Sequence, residues 1–192
     1  MINQALIFLL ETVLGLFSLA LLLRFYLQLL RAPYRNPLSQ FLAALTDFLV
    51  RPARRFIPGL WGIDLATLVL AWLLELLILY IGLMLRGVEP KAATGVFILA
   101  LCFMAAMRIV KLTLYILMVA IIMQAILSWV APPYSPMTPL LNALTQPFLR
   151  PLRKRIPPVG NVDLSPLLLI LIIQLILILP VQWLELNMVR LL

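Results

Sequence analysis

Long apolar runs alternate with short polar segments along this chain. The runs at about residues 5–30, 65–85, 108–130 and 167–186 each reach the roughly 18 apolar residues that a membrane-spanning helix needs. The pattern therefore predicts four spans. We expect an all-α integral membrane protein.

Two shorter segments carry a different pattern. From Leu38 to Leu49, apolar residues recur at i, i+3, i+4, i+7, i+10 and i+11, which places them on one helical face. A dozen residues cannot cross a membrane, so we predict an amphipathic helix at 38–49 in the interface or folded partway into the membrane. A soluble cap packed on the bundle is the alternative. Residues 139–149 repeat the pattern.

An internal duplication relates the two halves of the chain. At a constant offset of 99 residues, segments 32–65 and 131–164 are identical at 14 of 34 positions without a gap. Both halves carry a basic segment after their first span, which predicts two repeats of the same orientation, with a pseudo-twofold axis along the membrane normal. We place the first repeat at 1–91 and the second at 92–192. In each, two spans are joined by an interfacial helix and a basic, proline-bracketed turn.

The apolar run that begins at Ala92 is too long for one span. As a single helix from 92 to 130 it would be about 58 Å long, nearly twice the apolar thickness of a bilayer. The duplication aligns the first span with residues 104–129, which leaves 92–107 as an N-terminal extension. An interfacial segment, a re-entrant segment and projecting helical turns are all compatible with this pattern.

Composition and charge agree with a membrane protein. The chain is 65% hydrophobic and only 11% charged, and its formal net charge is +8. Its basic residues flank apolar spans and form no continuous basic face, so we do not expect nucleic-acid binding. Since Lys and Arg collect in cytoplasmic loops, both basic turns are predicted to be cytoplasmic and both termini outside.

Residues for catalysis or metal binding are scarce. The chain has one cysteine, Cys102, and no histidine, which removes the usual zinc ligand, haem ligand and neutral-pH base. No nucleophile–base pair is visible either. We therefore expect no enzyme activity, no cofactor, no metal and no haem bound by this chain.

The two basic turns, Arg51–Pro58 and Arg150–Pro157, are the first candidate site. They are predicted either to bind anionic lipid or an acidic partner loop, or only to set topology. The flanking prolines favour binding, because a rigid turn fixes the direction of the guanidinium groups. The candidate residues are Arg51, Arg54, Arg55, Arg150, Arg153, Lys154 and Arg155.

Polar residues within the spans are the second candidate, because an unpaired charge at membrane depth costs several kcal/mol. They are Glu11, Arg24, Glu75, Arg108, Lys111, Gln124 and Gln174. The duplication places Glu11 near the depth of Arg108 and Lys111, which predicts an ion pair. Glu75 has no obvious base at its depth, and Arg24 is expected to extend to the head groups. A polar pathway for ions is the alternative to pairing between helices.

Two aspartates precede the second span of each repeat. Asp64 and Asp163 are predicted N-caps that also bond the preceding basic turn. Within the last span, Pro180 predicts a kink or an early end.

Several of these motifs resemble the YggT (YlmG) family of bacterial and plastid membrane proteins. In the first half they are Leu45-Thr46-Asp47, Arg51-Pro52 and Ile57-Pro58; in the second half they are Leu144-Thr145-Gln146-Pro147, Arg150-Pro151-Leu152-Arg153, Ile156-Pro157-Pro158 and Val162-Asp163-Leu164-Ser165-Pro166. The resemblance implies a multi-pass protein of the bacterial inner membrane, with roles in osmotic tolerance, ion homeostasis, envelope or division organisation, or assembly of membrane cytochrome complexes. It supplies no catalytic residues.

Together these observations predict a non-enzymatic scaffold or assembly factor of the cell envelope. Its expected partners are anionic lipids and other membrane proteins or further copies of itself. The alternative is an oligomeric ion channel or transporter component, since four spans leave little room for a pore within one chain.

Overall fold

The computed structural model describes residues 2–33, 36–59, 62–87, 95–130, 137–156 and 163–189. These ranges contain seven α-helices and one π-helical turn. They are α1 (Ile2–Leu29), α2 (Pro37–Phe56), α3 (Leu65–Leu85), α4 (Gly95–Val130), α5 (Thr138–Arg155), α6 (Ser165–Ile176), the π-helical turn Leu177–Val181, and α7 (Gln182–Val189).

Four helical segments are long and apolar enough to cross a membrane. They are Asn3–Leu29, Leu65–Leu85, Phe97–Leu127 and Ser165–Asn187. Within the described ranges, three of these segments coincide with the predicted spans, whereas the third begins at Phe97, eleven residues before the predicted start at 108. The fold is that of an all-α multi-pass membrane protein.

Helices α1 and α3 run antiparallel. Asn3 at the start of α1 donates a hydrogen bond to the backbone carbonyl of Leu85 at the end of α3, at 3.1 Å. Farther along, fully buried Leu21 and Leu22 of α1 pack against Ala71 of α3 and Val50 of α2. The apolar faces of α1, α2 and α3 thus form one core.

Helices α2 and α5 lie at the same end of the bundle. Leu42 of α2, Leu140 and Leu144 of α5, and Leu27 of α1 belong to one buried cluster. The basic C-terminal ends of α2 and α5 therefore belong to one end of the molecule, as the prediction of two repeats in the same orientation requires.

Both amphipathic helices are longer than their apolar pattern indicated. The predicted limits were 38–49 and 139–149, but the helices extend to Phe56 and Arg155, so the basic residues are helical and do not form turns. The apolar pattern ends before Pro52 and Pro151, and a proline disfavours a helical conformation of the residue that precedes it. Buried Val50 and Leu149, one turn or less before these prolines, hold each segment against the bundle, and the basic last turn suits the helix C-terminus.

The extension before the third span is helical. Helix α4 is continuous over Gly95–Val130, 36 residues or about 54 Å. Phe97 and Leu101 in its first two turns pack against Leu79 of α3. Residues 95–107 are therefore the first turns of helix α4 and pack beside α3, which agrees with a helix extension and excludes a separate re-entrant segment; residues 92–94 lie outside the described ranges.

Pro180 interrupts the last span without ending it. The chain forms a π-helical turn at Leu177–Val181, where the N–H of Gln182 bonds the carbonyl of Leu177 five residues earlier. Such a turn accommodates the N–H that proline lacks. The helix then continues as α7.

Candidate functional site

The seven candidate basic residues are solvent-exposed and occupy the last turns of α2 and α5. Two of them form equivalent ion pairs. Arg54 Nη2 lies 2.6 Å from Asp64 Oδ2, and Arg153 Nε lies 2.7 Å from Asp163 Oδ2. Each pair ties the end of an amphipathic helix to the start of the following span.

The two aspartates also bond the first turn of the helix that follows. Asp64 is the N-cap of α3 and accepts hydrogen bonds from the hydroxyl of Thr67 at 2.5 Å and from its N–H at 3.4 Å. Asp163 accepts a hydrogen bond from the N–H of Ser165 at 2.9 Å. The N-cap residue of α6 is Leu164, so Asp163 precedes the N-cap by one residue. The predicted cap at Asp163 is thus displaced by one residue, because α6 begins at Ser165.

The environments of the two carboxylates differ in burial. The side chain of Asp64 is only 3% exposed, whereas that of Asp163 is 39% exposed. Burial alone would raise the pKa of Asp64, but hydrogen bonds from Arg54 and Thr67, with the charge of Arg54, outweigh it and hold the pKa below its ordinary 3.8. For Asp163, burial is likewise outweighed by hydrogen bonds from Ser165 and Arg153, and its pKa is also lowered.

Arg24 bonds acceptors on α2, which the sequence did not predict. Its side chain is 13% exposed and its Nη1 lies 2.8 Å from Asp47 Oδ1 and 2.7 Å from the hydroxyl oxygen of Thr46. These acceptors lie on α2, and only the packing of α1 against α2 reveals them.

Asp47 belongs to this group of charged contacts, and the sequence interpretation missed it. Its Oδ1 pairs with Arg24, and its Oδ2 lies 2.7 Å from Nη2 of Arg51. The hydrogen bond from Arg24 is the largest influence on the pKa of Asp47 and holds it below 3.8, with the charges of Arg24 and Arg51 acting in the same direction against burial. The i, i+4 spacing of Asp47 and Arg51 on one helix was the available signal.

Each repeat also contains a fully buried threonine at an equivalent position, Thr46 or Thr145. The hydroxyl of Thr46 donates to the carbonyl of Leu42 and accepts from Arg24. The hydroxyl of Thr145 has one proton, which it can donate either to the carbonyl of Leu141 or to Oε1 of Gln124. Gln124 itself donates to Asn142 at 2.7 Å. A polar side chain of each repeat's first span therefore meets the buried threonine of its amphipathic helix.

Two basic pockets lie beside these contacts. The first basic pocket, about 400 Å³, is lined by Arg24, Leu27, Gln28, Ala32, Ser39, Leu42, Ala43, Asp47, Arg51 and Arg54. The second basic pocket, about 310 Å³, is lined by Gln146, Arg150, Arg153 and Lys154. Gln146, Arg150 and Arg153 are the 99-residue equivalents of Asp47, Arg51 and Arg54, so the pockets occupy corresponding places in the two repeats.

Charged residues also meet within the membrane-spanning part. Arg108 lies 4.0 Å from Glu11 and 3.8 Å from Glu75, and Glu11 lies 3.8 Å from Arg86. The structure thus brings Glu11 to a base of the third span. The expectation that Glu75 lacks a base is wrong, because one long guanidinium side chain reaches both carboxylates. Residue positions along the separate helices could not show that one arginine reaches both glutamates.

A further ion pair joins the third span to the last one. Lys111 Nζ lies 2.8 Å from Glu185 Oε2. The sequence interpretation missed Glu185, although it is the 99-residue equivalent of Arg86. Lys111 directly follows Val110, the 99-residue equivalent of Glu11, so the pairs Glu11–Arg86 and Lys111–Glu185 lie in similar but not identical places and have opposite polarity. Gln174 is not part of this cluster and donates to Met118 Sδ at 3.4 Å.

A cleft of about 450 Å³ lies between α1, α3 and α4 beside this cluster. Its charged lining residues are Glu11, Glu75, Arg108 and Lys111. Across the part of the chain that the structure describes, no three Cys, Asp or Glu side chains come together as a metal site.

A comparison with known families agrees with the duplicated architecture. The model of the CCB3/YggT family matches residues 3–85 and, separately, residues 103–184. The chain belongs to the CCB3/YggT family. The two matches, one in each half, show two tandem repeats, and the resemblance drawn from the sequence motifs is confirmed.

Relatives within the CCB3/YggT family span nearly the same length. A Pseudomonas aeruginosa protein, PA0392, is 44% identical over 176 residues, which covers 91% of this chain and 87% of the relative. YggT of Escherichia coli K12 is 34% identical over 174 residues, covering 90% of this chain and 87% of YggT. Neither name is that of an enzyme. No solved structure matches the chain.

Proposed function

We propose that this chain is a non-enzymatic scaffold or assembly factor of the bacterial cytoplasmic membrane. Its basic helix ends would recruit anionic lipid head groups or partner membrane proteins. One observation carries the proposal: the side chains of Arg55, Arg150, Lys154 and Arg155 are exposed at one end of the bundle and form no hydrogen bond or ion pair within the described ranges. We call them the free basic group.

Within the described ranges these four charges form no ion pair, and their contribution to the fold is limited to the favourable position of a cation near a helix C-terminus. Arg51, Arg54 and Arg153 already form the ion pairs that hold the amphipathic helices. Near an anionic surface each basic residue contributes about 1 kcal/mol, so four could strengthen association by about a thousandfold. That magnitude is large enough for recruitment.

The exposed face of α2 supports an interfacial position. Phe41, Leu45, Phe48 and Phe56 share one exposed stripe, roughly opposite the face that buries Val50. A soluble cap would leave these aromatic rings in water, whereas an interfacial helix places them among acyl chains. By the positive-inside rule the basic end would face the cytoplasm and both termini the outside.

The test replaces the four residues of the free basic group with glutamine. Membranes are extracted into native nanodiscs, and the bound lipids and co-purifying proteins are quantified by mass spectrometry. We expect enrichment of anionic lipid or of a specific membrane complex with the wild-type chain and its loss with the variant. Unchanged enrichment in a correctly inserted variant would refute the proposal.

A charge-preserving variant is the matched control. Arg55→Lys, Arg150→Lys and Arg155→Lys together keep every positive charge but remove the planar guanidinium forks. Retained recruitment in this control would assign the effect to charge. Loss in both variants would assign it to bidentate contacts with a partner. Both results support recruitment and distinguish its two modes.

The charged cleft between α1, α3 and α4 favours a second candidate, an oligomeric ion channel or transporter component related to osmotic tolerance. Ionisable groups at membrane depth commonly line ion pathways. Ion flux into liposomes that is abolished by Glu75→Gln would support this candidate. The absence of flux in well-sealed liposomes would exclude it.

A further inference from the structure

The charged cleft between α1, α3 and α4 contains a buried carboxylate that accepts no hydrogen bond. Glu75 lines this cleft, and its side chain is only 4% exposed. The base beside it is Arg108, whose Nη1 lies 3.8 Å from Glu75 Oε2, beyond hydrogen-bond distance. Within the described part of the chain the carboxylate has no donor, yet its oxygens are not fully enclosed, in contrast to the hydroxyl oxygens of Ser18 and Ser39. Such a carboxylate indicates a ligand that donates hydrogen bonds.

The guanidinium group of Arg108 has donors to spare. It lies 4.0 Å from Glu11 and 3.8 Å from Glu75, so it faces both carboxylates but donates a hydrogen bond to neither. A guanidinium group carries five N–H donors and binds carboxylates through two parallel hydrogen bonds. The cleft thus offers a donor group for an anion directly beside a carboxylate that needs a donor.

The formal charges that line the cleft cancel. Glu11 and Glu75 are acidic, whereas Arg108 and Lys111 are basic. Glu75 lies ten residues, or about 15 Å, from each end of α3 and is therefore in the middle of a span. Because additional net charge at this depth is costly, a ligand without net charge is favoured over a simple ion. A zwitterion supplies both a donor for Glu75 and an acceptor for Arg108 without adding charge.

The size and the walls of the cleft favour a small zwitterion with an apolar part. In an α-amino acid one carbon carries both the ammonium and the carboxylate, so the two groups can lie alongside two protein charges that are 3.8 Å apart. The volume of about 450 Å³ falls within the range of about 300–1,000 Å³ that is typical of small-molecule sites. Besides the four charged residues and the hydroxyl-bearing Thr12 and Tyr115, the wall is apolar and consists of Gly15, Leu16, Leu19, Ile78 and Leu112.

Gly15 keeps part of this space open. A Cβ added at Gly15 would meet no atom within 4 Å, so this residue borders open space in the cleft. Glycine in the interior of a helix is destabilising relative to alanine, and α1 nevertheless carries one here. A larger side chain at this position would fill the cleft from the α1 side and leave Glu75 and Arg108 in place.

We infer that the charged cleft binds an α-amino acid with an apolar side chain. The ammonium group donates to Glu75, the carboxylate accepts from Arg108, and the side chain packs on the apolar wall. The ammonium is primary, because a quaternary ammonium group would leave Glu75 without a donor. This inference goes beyond recruitment by the basic helix ends. It concerns the same cleft as the second candidate function, but it requires binding only and no ion flux.

The position of Glu75 favours a soluble ligand over a lipid. The head group of an aminophospholipid also combines a primary ammonium with an anionic group. Head groups lie at the membrane interface, whereas Glu75 is about 15 Å from either end of α3. The second repeat offers no equivalent site, because Val110 and Gln174 stand at the positions of Glu11 and Glu75. We therefore expect one site per chain.

The test measures binding of tritiated leucine to the full, purified chain in dodecyl maltoside by scintillation proximity, with unlabelled competitors. Isoamylamine and isocaproate keep the apolar group of leucine but only one of its charges. Leucine should bind about tenfold or more tightly than either, since each lacks one charge-assisted hydrogen bond. Trimethylated leucine keeps both charges without N–H donors and should bind about tenfold more weakly than leucine. Dihexanoyl phosphatidylethanolamine should compete more weakly than leucine, and stronger competition by this lipid would overturn the inference.

Two pairs of variants test the position of the site. Glu75→Gln removes the carboxylate with little change in shape and should weaken leucine binding by about tenfold or more, whereas Gln174→Ala at the equivalent position should leave it unchanged. Gly15→Leu fills the cleft and should also weaken binding by about tenfold or more. Its control, Gly95→Leu at the start of α4, likewise adds a side chain in open space and should have no effect. The glycine pair keeps the test decisive if Glu75→Gln does not fold.

Absence of saturable leucine binding, equal affinity for the single-charge analogues, or unchanged binding to Gly15→Leu would overturn the inference. The glutamine variant of the free basic group separates it from the proposed function, because none of those four residues lines the cleft. The inference requires that this variant still bind leucine, whether or not recruitment in native nanodiscs is lost. Leucine binding without ion flux would support the inference and exclude the second candidate function, whereas ion flux without leucine binding would do the reverse.

Discussion

The equivalent ion pairs Arg54–Asp64 and Arg153–Asp163 allow the same substitution to be compared in two environments. Asp64 is 3% exposed, whereas Asp163 is 39% exposed. Replacing the arginine leaves a buried charge without its partner in the first repeat but a half-exposed charge in the second. We therefore predict that Arg54→Gln lowers the free energy of unfolding much more than Arg153→Gln does.

The magnitude follows from burial. Removing one partner of a fully buried ion pair costs about 3–5 kcal/mol, and exposed pairs contribute about 0–1 kcal/mol. Arg54 is 43% exposed and Asp64 keeps its bonds to Thr67, which lowers the expected loss. We expect about 2 kcal/mol for Arg54→Gln and less than about 1 kcal/mol for Arg153→Gln.

The assay is equilibrium unfolding in mixed micelles of dodecyl maltoside and sodium dodecyl sulfate, followed by circular dichroism. Asp64→Asn alone and together with Arg54→Gln completes a double-mutant cycle. The double variant should lose less stability than the sum of the single variants, because neutral asparagine no longer needs the guanidinium. Equal losses for the two arginines, or a coupling energy of zero, would refute the reasoning.

Three further predictions concern pH, the membrane interior and the last span. The pKa of Asp64 is lowered in the folded chain, so its contribution to stability is complete above the ordinary pKa of 3.8 and is lost as the pH falls below that value. Asp64→Asn should therefore reduce the loss of stability at acidic pH, as measured by unfolding in micelles. Glu185→Gln should cost about 1–2 kcal/mol by leaving Lys111 without its carboxylate, whereas replacing both residues by methionine should be nearly neutral in the same unfolding assay. Pro180→Ala restores an N–H within the π-helical turn and should rotate α7, which a double-mutant cycle would detect as a lower Lys111–Glu185 coupling energy.

Hydrophobic patterning was sufficient to predict the spanning helices. Their apolar runs are long, and in a bilayer only a helix satisfies the backbone hydrogen bonds of such a run. The 99-residue offset likewise predicted that both basic segments belong to one end of the bundle, which the shared cluster of Leu42 and Leu140 bears out.

Local rules failed where tertiary contacts outweigh them. Pro52 and Pro151 indicated helix ends, but packing of the neighbouring residues holds these segments helical. The partners of Arg24 and Glu75 lie on other helices, at positions fixed by rotation and crossing of the helices and by side-chain reach. The position of a residue along its own helix gives neither the rotation of that helix, nor its crossing angle, nor the reach of a side chain on a neighbouring helix.

The opposite polarity of the pairs Glu11–Arg86 and Lys111–Glu185 bears on how four similar apolar helices find the correct neighbours. If the first spans of the two repeats exchanged their second spans, Glu11 would face Glu185 and Lys111 would face Arg86. Like charges that face each other disfavour such an arrangement. Charge pairing therefore distinguishes the second spans of the two halves, which resemble each other in length and hydropathy.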